Sequence, residues 1–338
     1  MNNIPLTGCR ARRAGRSPVG PRSTPAVPSA KAGPDGASTA IDAADSTRPI
    51  LIVSDLDGTM VGDDTRTAEF TAAWEGRAVH GRGPYGSFTF DGSAGVVSMP
   101  PGSSLVYSTG RSLESFESLA EAKGGILAVP DALICAVGTK VYRRRGGEGA
   151  GGEWTEDAEW TARLDEGWDF DVVMKAAAAA VRAAGDENAH FRPEEEFTDH
   201  KITLGVRDAH VAGASEAIRE RCEAAGLTVK VIASGVGGWQ YLDVVSARAG
   251  KLESLEYVRE DFGVAVDRTV ACGDSGNDEL MLSGANRAVV VGNAQPVLME
   301  WARAEREKDD GDRLYIAGQR EARGILEGLD AFGFLLRA

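Results

Sequence analysis

Five short runs of continuous apolar, largely branched residues constrain this chain more than any other feature. Ile50 to Leu56, Ser104 to Thr109, Ala132 to Val137, Arg268 to Cys272 and Ala288 to Val291 each read as a strand. Their apolarity is unbroken rather than alternating, as a strand needs when both of its faces are covered. Helical segments separate several of them, at Leu113 to Lys123, Lys251 to Asp261, Glu279 to Ser283, Gln295 to Glu307 and Glu321 to Leu329. Strands alternating with helices predict an α/β fold, a doubly wound parallel sheet of Rossmann-like type.

Between about Trp160 and Val245 the order changes to a helix (Asp169 to Ala184), a strand (Lys201 to Val206), a helix (Val211 to Ala225) and two strands (Thr228 to Ala233, Gln240 to Val245). The strand Lys201 to Val206 alternates, as a sheet with one solvated face requires. A smaller α+β cap inserted into the core is therefore expected. The expected division is a leader over 1–48, core over 49–158, cap over 159–246 and the rest of the core over 247–338. The 338 residues are enough for two domains. The Gly-rich stretches 82–102 and 146–152 read as loops. Neither supplies a convincing phosphate loop between a strand and a helix, which disfavours P-loop and dinucleotide-binding enzymes.

Charge narrows the partners. The chain holds 37 Lys plus Arg against 51 Asp plus Glu, a net charge of −14, and so lacks the basic balance of a general nucleic-acid binder. No apolar run reaches the length of a bilayer span, which excludes a membrane-spanning helix. The acidity is uneven. Residues 1–48 hold six Arg and one Lys against three Asp, leaving 30 basic and 48 acidic side chains for the remainder. Rich in Pro, Ser, Ala and Gly, that leader has too little to bury to order itself. Its composition resembles a transit peptide, a plain low-complexity tail being the alternative, so the expected location is plastid or cytoplasm. Cys9, Cys135, Cys222 and Cys272 are scattered, as are the four histidines, and neither set has the spacing of a zinc site or a His-based triad.

The chemistry-bearing residues gather just after strands. In Ser54-Asp55-Leu56-Asp57-Gly58-Thr59, Asp55 and Asp57 fall where an open parallel sheet binds ligands, beyond the carboxyl end of a strand. Regular alternation has ended there, so both carboxylates can reach the crevice, and Gly58 permits a tight turn. Gly273-Asp274-Ser275-Gly276-Asn277-Asp278 repeats the arrangement after a later strand. Carboxylates without His or Cys beside them suit Mg²⁺, and a bound cation relieves their mutual repulsion. Ser108-Thr109-Gly110-Arg111 adds a hydroxyl and a helix N-terminus suited to an anion, and Lys251 opens the helix after the middle segment. Singly, each has a plainer account: a surface turn for D-x-D-G-T, a helix cap for Thr109, a solvated helix residue for Lys251. Together, in this order and each beside a matching element, they argue for one site.

This ordered set resembles the haloacid dehalogenase superfamily of phosphotransferases, and more narrowly its sucrose-6-phosphate phosphatase branch. The narrower resemblance rests on Ile52 to Asp57 with Thr59-Met60-Val61, on Tyr107 to Ser112, and on Ala136-Val137-Gly138-Thr139. It continues in His200-Lys201-Ile202-Thr203, Asn293-Ala294-Gln295-Pro296 and Gly324-Ile325-Leu326-Glu327, and covers residues 50 to 336. The resemblance implies Mg²⁺-dependent hydrolysis of a sugar phosphate monoester, sucrose-6-phosphate foremost, through an aspartyl-phosphate. Asp55 is then the nucleophile and Asp57 the general acid and base. Thr109, Gly110 and Lys251 bind phosphate. Mg²⁺ is held by Asp55, the backbone carbonyl of Asp57 and Asp274, with Asp278 orienting the outer shell and Ser275 and Asn277 in support.

In the cap, Lys201 and Asp243 are expected at the sugar, although Lys201 alone is equally an ordinary surface lysine. Trp239, Gln240 and Tyr241 are candidates for sugar contact, with packing the alternative for the two aromatics, and Glu194-Glu195-Glu196 reads as a solvated charge run. Three departures from the family pattern bear on substrate. The stretch from Asp57 to Thr109 is long, Leu252 stands where a Gly commonly follows the motif lysine, and Ser234 to Asp243 replaces a shorter S-G-x-D-x-D. Another glycosyl phosphate, such as trehalose-6-phosphate or a glycosylglycerate phosphate, therefore competes with sucrose-6-phosphate. A phosphomutase and a catalytically silent carbohydrate-binding partner of a glycosyltransferase are the remaining readings. Association with the glycosyltransferase that makes the ester is a further expectation.

Overall fold

The computed structural model describes residues 47–76, 89–90, 93–94, 97–145, 152–235, 237–308 and 313–337. Nearly all of the basic leader, with Cys9, and much of both Gly-rich stretches lie outside the described residues. The first part of the core supplies strands β1 (Leu51–Ser54), β2 (Ser104–Ser108), β3 (Ala132–Cys135), β4 (Lys140–Arg145) and β5 (Glu153–Glu156), with helices α1 (Asp64–Trp74), α2 (Leu113–Lys123) and α3 (Ala158–Asp165), the last packing on the core through Trp160 and Leu164 although the expected boundary at 158/159 gives it to the cap. The middle of the chain forms α4 (Phe170–Ala184), β6 (Ala189–Phe191), β7 (Lys201–Arg207), α5 (Asp208–Ala224), β8 (Val229–Ser234) and β9 (Trp239–Ser246). The last part adds α6 (Lys251–Asp261), β10 (Thr269–Gly273), α7 (Glu279–Leu282), β11 (Arg287–Val290), α8 (Pro296–Lys308), β12 (Leu314–Ile316) and α9 (Glu321–Ala331).

Eight strands form one sheet in the order β12-β11-β10-β1-β2-β3-β4-β5. From β12 to β3 the neighbours run parallel, as expected, whereas β4 and β5 are added antiparallel at one edge. An antiparallel addition needs no crossover helix, and the charge on Glu153 and Glu156 suits the edge strand β5. Alternate residues of the central strands serve opposite faces. Ile52, Leu105, Leu133 and Val270 pack with Phe70 of α1, Phe116 of α2 and Ile325 of α9. Leu51, Val53, Ile134 and Ala271 pack with Trp160 of α3, Leu255 of α6 and Leu298 of α8. Every residue of β1 is fully buried. Full burial of a large aliphatic side chain contributes about 1.5–3 kcal/mol, which makes the strand beneath Asp55 a firmly held support.

A separate four-stranded antiparallel sheet, in the order β8-β9-β7-β6, lays one face on α4 and α5. Ile202, Leu204, Leu242 and Val244 pack there with Val173, Ala177 and Ile218. The alternation in β7 has a different cause from the one expected. Its other face is not solvated, since Lys201 is 5% and Thr203 1% exposed; those positions line a cavity shared with the core. Among the described residues, no helix is long and apolar enough to cross a membrane.

Candidate active site

Strand register brings the functional loops to one edge. Ser54 pairs with Tyr107 on one side and Cys272 on the other, so Asp55, Thr109 and Asp274 emerge side by side beyond β1, β2 and β10. The Asp55 N–H donates to the Cys272 carbonyl at 2.8 Å, which carries the strand geometry into the loop. The chain then reverses, with the Val61 N–H on the Leu56 carbonyl at 2.8 Å and the Gly58 N–H on the Val61 carbonyl at 2.9 Å. Gly58 has φ +84°, and a Cβ there would lie 2.6 Å from Asp274 Oδ2. Glycine meets both demands, the left-handed backbone and the close approach. The neighbouring Thr59 hydroxyl donates to Asp274 Oδ1 at 3.1 Å.

Asp55, Asp274 and Asp278 are all buried, and each offers a carboxylate oxygen within 4.8 Å of the others. Lys251, also buried, donates from Nζ to Asp55 Oδ1 and Asp278 Oδ1, both at 2.6 Å. Three carboxylates against one ammonium leave negative charge in excess, away from water. Burial pushes Asp55 up to about 8 in spite of Lys251, and burial with the Asp278 charge pushes Asp274 up to about 6. For Lys251, burial pulls downward, but the Asp278 and Asp55 carboxylates outweigh it and hold the ammonium above its ordinary range. An all-oxygen donor set short of positive charge suits a small hard divalent cation. Asp278 Oδ2 is already committed to the N–H groups of Asp274 and Ser275, at 3.1 and 3.0 Å. It braces the loop, leaving Asp55 and Asp274 as the groups with oxygens to offer. The Asp57 carboxylate stands apart from this cluster.

That carboxylate accepts a fork from Arg111, Nε and Nη2 each at 2.7 Å. Arg111 belongs to the Ser108-Thr109-Gly110-Arg111 motif, where nothing in the sequence singles out a role of its own for it. Its loop is held from the next strand. The Ala136 N–H donates to the Arg111 carbonyl and the Val137 N–H to the Thr109 carbonyl, at 2.9 and 3.1 Å. Ala136 and Val137 adopt φ of 49° and 60°, in the left-handed region that side-chain-bearing residues avoid. Such strain persists where surrounding structure over-determines it.

A cavity of about 550 Å³ opens above these loops. From the core it takes Asp55, Asp57, Thr109, Gly110, Ser275 and Asn277; from the cap it takes Lys201, Thr203, Tyr241 and Asp243. Lys201 and Asp243 are joined at 3.5 Å, and Thr203 Oγ1 donates to the same Asp243 oxygen at 2.7 Å. Burial of Lys201 removes the ordinary-surface-lysine account. Lys251, Asp274 and Asp278 are not on the lining. The three candidates at the start of β9 separate. Tyr241 lines the cavity, Trp239 packs against His190 and under Arg207, and Gln240 donates to Asp208. Nor is the acidic run merely solvated: Glu195 and Glu196 line the cavity, and Glu196 pairs with Arg192.

A further layer lies behind the Gly58 turn. Asn293 Nδ2 donates to the Gly58 carbonyl, and the Glu321 N–H donates to Asn293 Oδ1, both at 2.7 Å. Glu321, buried at φ 51°, accepts from the Asp63 N–H at 3.3 Å and pairs with Arg66. Asn293 was legible only as part of a family motif, and Glu321 carried no signal.

A sequence profile described as sucrose-6F-phosphate phosphohydrolase matches residues 97–333. The chain belongs to that family. Among its relatives is sucrose-phosphatase 1 of Nicotiana tabacum, 29% identical over 300 residues that cover 86% of this chain and 61% of the relative. The chain thus spans about 60% of the length of the plant relatives it matches. Mannosylfructose-phosphate phosphatase of Agrobacterium fabrum is 28% identical over 286 residues, covering 84% of this chain and 96% of the bacterial one. Among solved structures, the sucrose-phosphatase of Synechocystis, in complex with sucrose and phosphate, superposes with a TM-score of 0.63 at 26% identity, covering 84% of this chain and 98% of that one.

Proposed function

We propose that the protein is a phosphoric monoester hydrolase acting on a sugar phosphate, with sucrose-6-phosphate the leading substrate. One observation carries the reading. Asp55 and Asp57 share a single cavity with the phosphate-loop residues Thr109 and Gly110 and with the cap pair Lys201 and Asp243. Asp55 attacks phosphorus in line, forming a carboxyl–phosphate bond as the sugar oxygen leaves. Asp57, in the same cavity, donates a proton to that oxygen. It then takes a proton from the water that breaks the aspartyl-phosphate and releases inorganic phosphate. Thr109 and the Gly110 loop bind the phosphoryl oxygens, while Lys251 holds Asp55 in place and contributes positive charge beneath it. Asp55, the Asp57 carbonyl and Asp274, with Asp278 bracing, would hold Mg²⁺, which would supply charge stabilisation at the transferring group. Losing one such electrostatic partner costs on the order of 3 kcal/mol of transition-state stabilisation. Lys201, Asp243 and Tyr241 meet the sugar from the cap.

A second substrate reading has its own support. The chain spans nearly the whole mannosylfructose-phosphate phosphatase, and its Ser234 to Asp243 stretch departs from the family pattern, so another disaccharide phosphate competes with sucrose-6-phosphate. Phosphate release by the purified protein with Mg²⁺ is to be measured across sucrose-6-phosphate, mannosylfructose phosphate, trehalose-6-phosphate and glycosylglycerate phosphates. At least one should turn over, EDTA should stop the reaction reversibly, and Asp55→Asn should lower kcat on the order of 10³-fold or more. Undiminished activity in Asp55→Asn would sink the mechanism.

A further inference from the structure

Ser112, Ala136, Phe197 and Thr198 line the active-site cavity and also line a second, larger groove of about 830 Å³ between core and cap. Its core wall presents Leu113 of α2 and Tyr142 of β4, and its cap wall Phe170 and Met174 of α4. Phe170 and Met174 are four residues apart and so share a helix face. All four apolar side chains are only half-buried. The groove is not a gap awaiting closure. Along its margin Lys140 Nζ bonds Asp199 at 3.0 Å and the Thr198 hydroxyl bonds the Thr139 hydroxyl at 3.1 Å, so the cap loop already rests on the core.

Charge selects the occupant. The Lys140 ammonium is taken up by Glu156 and Asp199, at 2.8 and 3.0 Å. Glu114 and Glu194, also on the lining, have no ion-pair partner among the described residues. An excess of carboxylate disfavours a second phosphate or any other anion. Free carboxylates accept hydroxyl protons, while aromatic and aliphatic walls cover apolar C–H faces. A neutral sugar ring offers both. We propose that this groove is a remote subsite for a neutral sugar residue carried on the leaving group, so that the site takes glycosyl phosphates with a leaving group of three or more sugar residues. The inference rests on the sugar-phosphate reading above and extends it to a longer substrate class.

The test uses the full chain and two neutral probes, sucrose and raffinose, which differ by one hexose residue. Each is titrated calorimetrically in the presence of Mg²⁺ and inorganic phosphate. Raffinose should bind about tenfold more tightly than sucrose. Met174→Trp from the cap wall and Leu113→Trp from the core wall each fill the groove and should erase that preference. Sucrose affinity should stay within about twofold, which also reports that each variant is folded. Equal affinities in the unsubstituted protein, or a preference that survives both substitutions, overturns the subsite. Phosphate release separates the two readings. A protein that prefers raffinose yet hydrolyses no glycosyl phosphate keeps the groove and loses the activity. One that hydrolyses disaccharide phosphates but binds the two sugars equally keeps the activity and loses the groove.

Discussion

Replacing Gly58 by Ala should damage chemistry far more than stability. Two effects act on the folded state. The left-handed backbone, at φ +84°, costs an L-residue about 1–2 kcal/mol. The new Cβ would also stand 2.6 Å from Asp274 Oδ2 and 3.0 Å from its Cγ, where ordinary contact begins near 3.4 Å. Restricting the unfolded chain returns about 0.4–1 kcal/mol. Set against the backbone cost alone, this leaves a net loss of about 1 kcal/mol, a fall in Tm of about 2–4 °C for a domain of this size. The clash is relieved only by moving the Asp274 carboxylate or the Asp57–Gly58 peptide, by several tenths of an ångström. Both belong to the proposed Mg²⁺ site, and a displacement approaching 1 Å there costs on the order of 10²-fold in rate. Differential scanning calorimetry, calorimetric Mg²⁺ titration and steady-state phosphate release measure the three quantities separately. Gly213→Ala, inside α5 with nothing within 4 Å of its added Cβ, is the control, and should gain about 0.5–1 kcal/mol with unchanged kinetics. If Gly58→Ala binds Mg²⁺ and turns over as the unsubstituted protein does, Gly58 is not keeping space for Asp274.

Three other outcomes are expected. Arg111→Lys removes the fork on Asp57; because both groups are partly exposed, Tm should move by less than about 1 kcal/mol's worth, while kcat falls on the order of tenfold, and unchanged kcat would refute a positioning role. Saturating Mg²⁺, at about 100 times its Kd, should stabilise the protein by about 2.7 kcal/mol, and Asp274→Asn should abolish that thermal shift; a shift that persists in the variant would remove Asp274 from the ion. Asp157 caps α3 through the Glu159 and Trp160 N–H groups and accepts from Tyr257 and Arg143. Burial pulls its pKa up, but these hydrogen bonds outweigh it and hold the group below 3.8. Its stabilising contribution is therefore complete above pH 3.8 and is lost as pH falls through the lower folded value. Asp157→Ala should cost about 2 kcal/mol at neutral pH, and its deficit should shrink as pH falls below 3.8; a deficit that stays the same or widens across the acid unfolding transition would show that another group carries it.

The parts of this molecule that were legible in sequence are those whose physics is local. β1 is legible because both its faces are covered, so its apolarity has no gaps. Asp55 and Asp274 are legible because each follows such a strand within two residues. The antiparallel strands β4 and β5 escaped notice because charge interrupts Lys140–Arg145 and Glu153–Glu156, and α1 because its buried positions include Thr67, Glu69 and Thr71. The alternation of β7 suggests one wet face, but the residues that look solvent-bound, Lys201 and Thr203, line a cavity shared with the core. What remained hidden is carried over long separations in the chain: Arg111 reaches Asp57 across 54 positions and Asn293 reaches Gly58 across 235. Glu321 shows why motif reading alone falls short. At φ 51° a glycine would be less strained. A glycine there, however, leaves the Asp63 N–H and Arg66 without their acceptor at the point where α1 begins. The strain is tolerated because that carboxylate is needed, and the backbone it fixes presents its N–H to Asn293, which in turn holds the Gly58 carbonyl in the turn that follows Asp57.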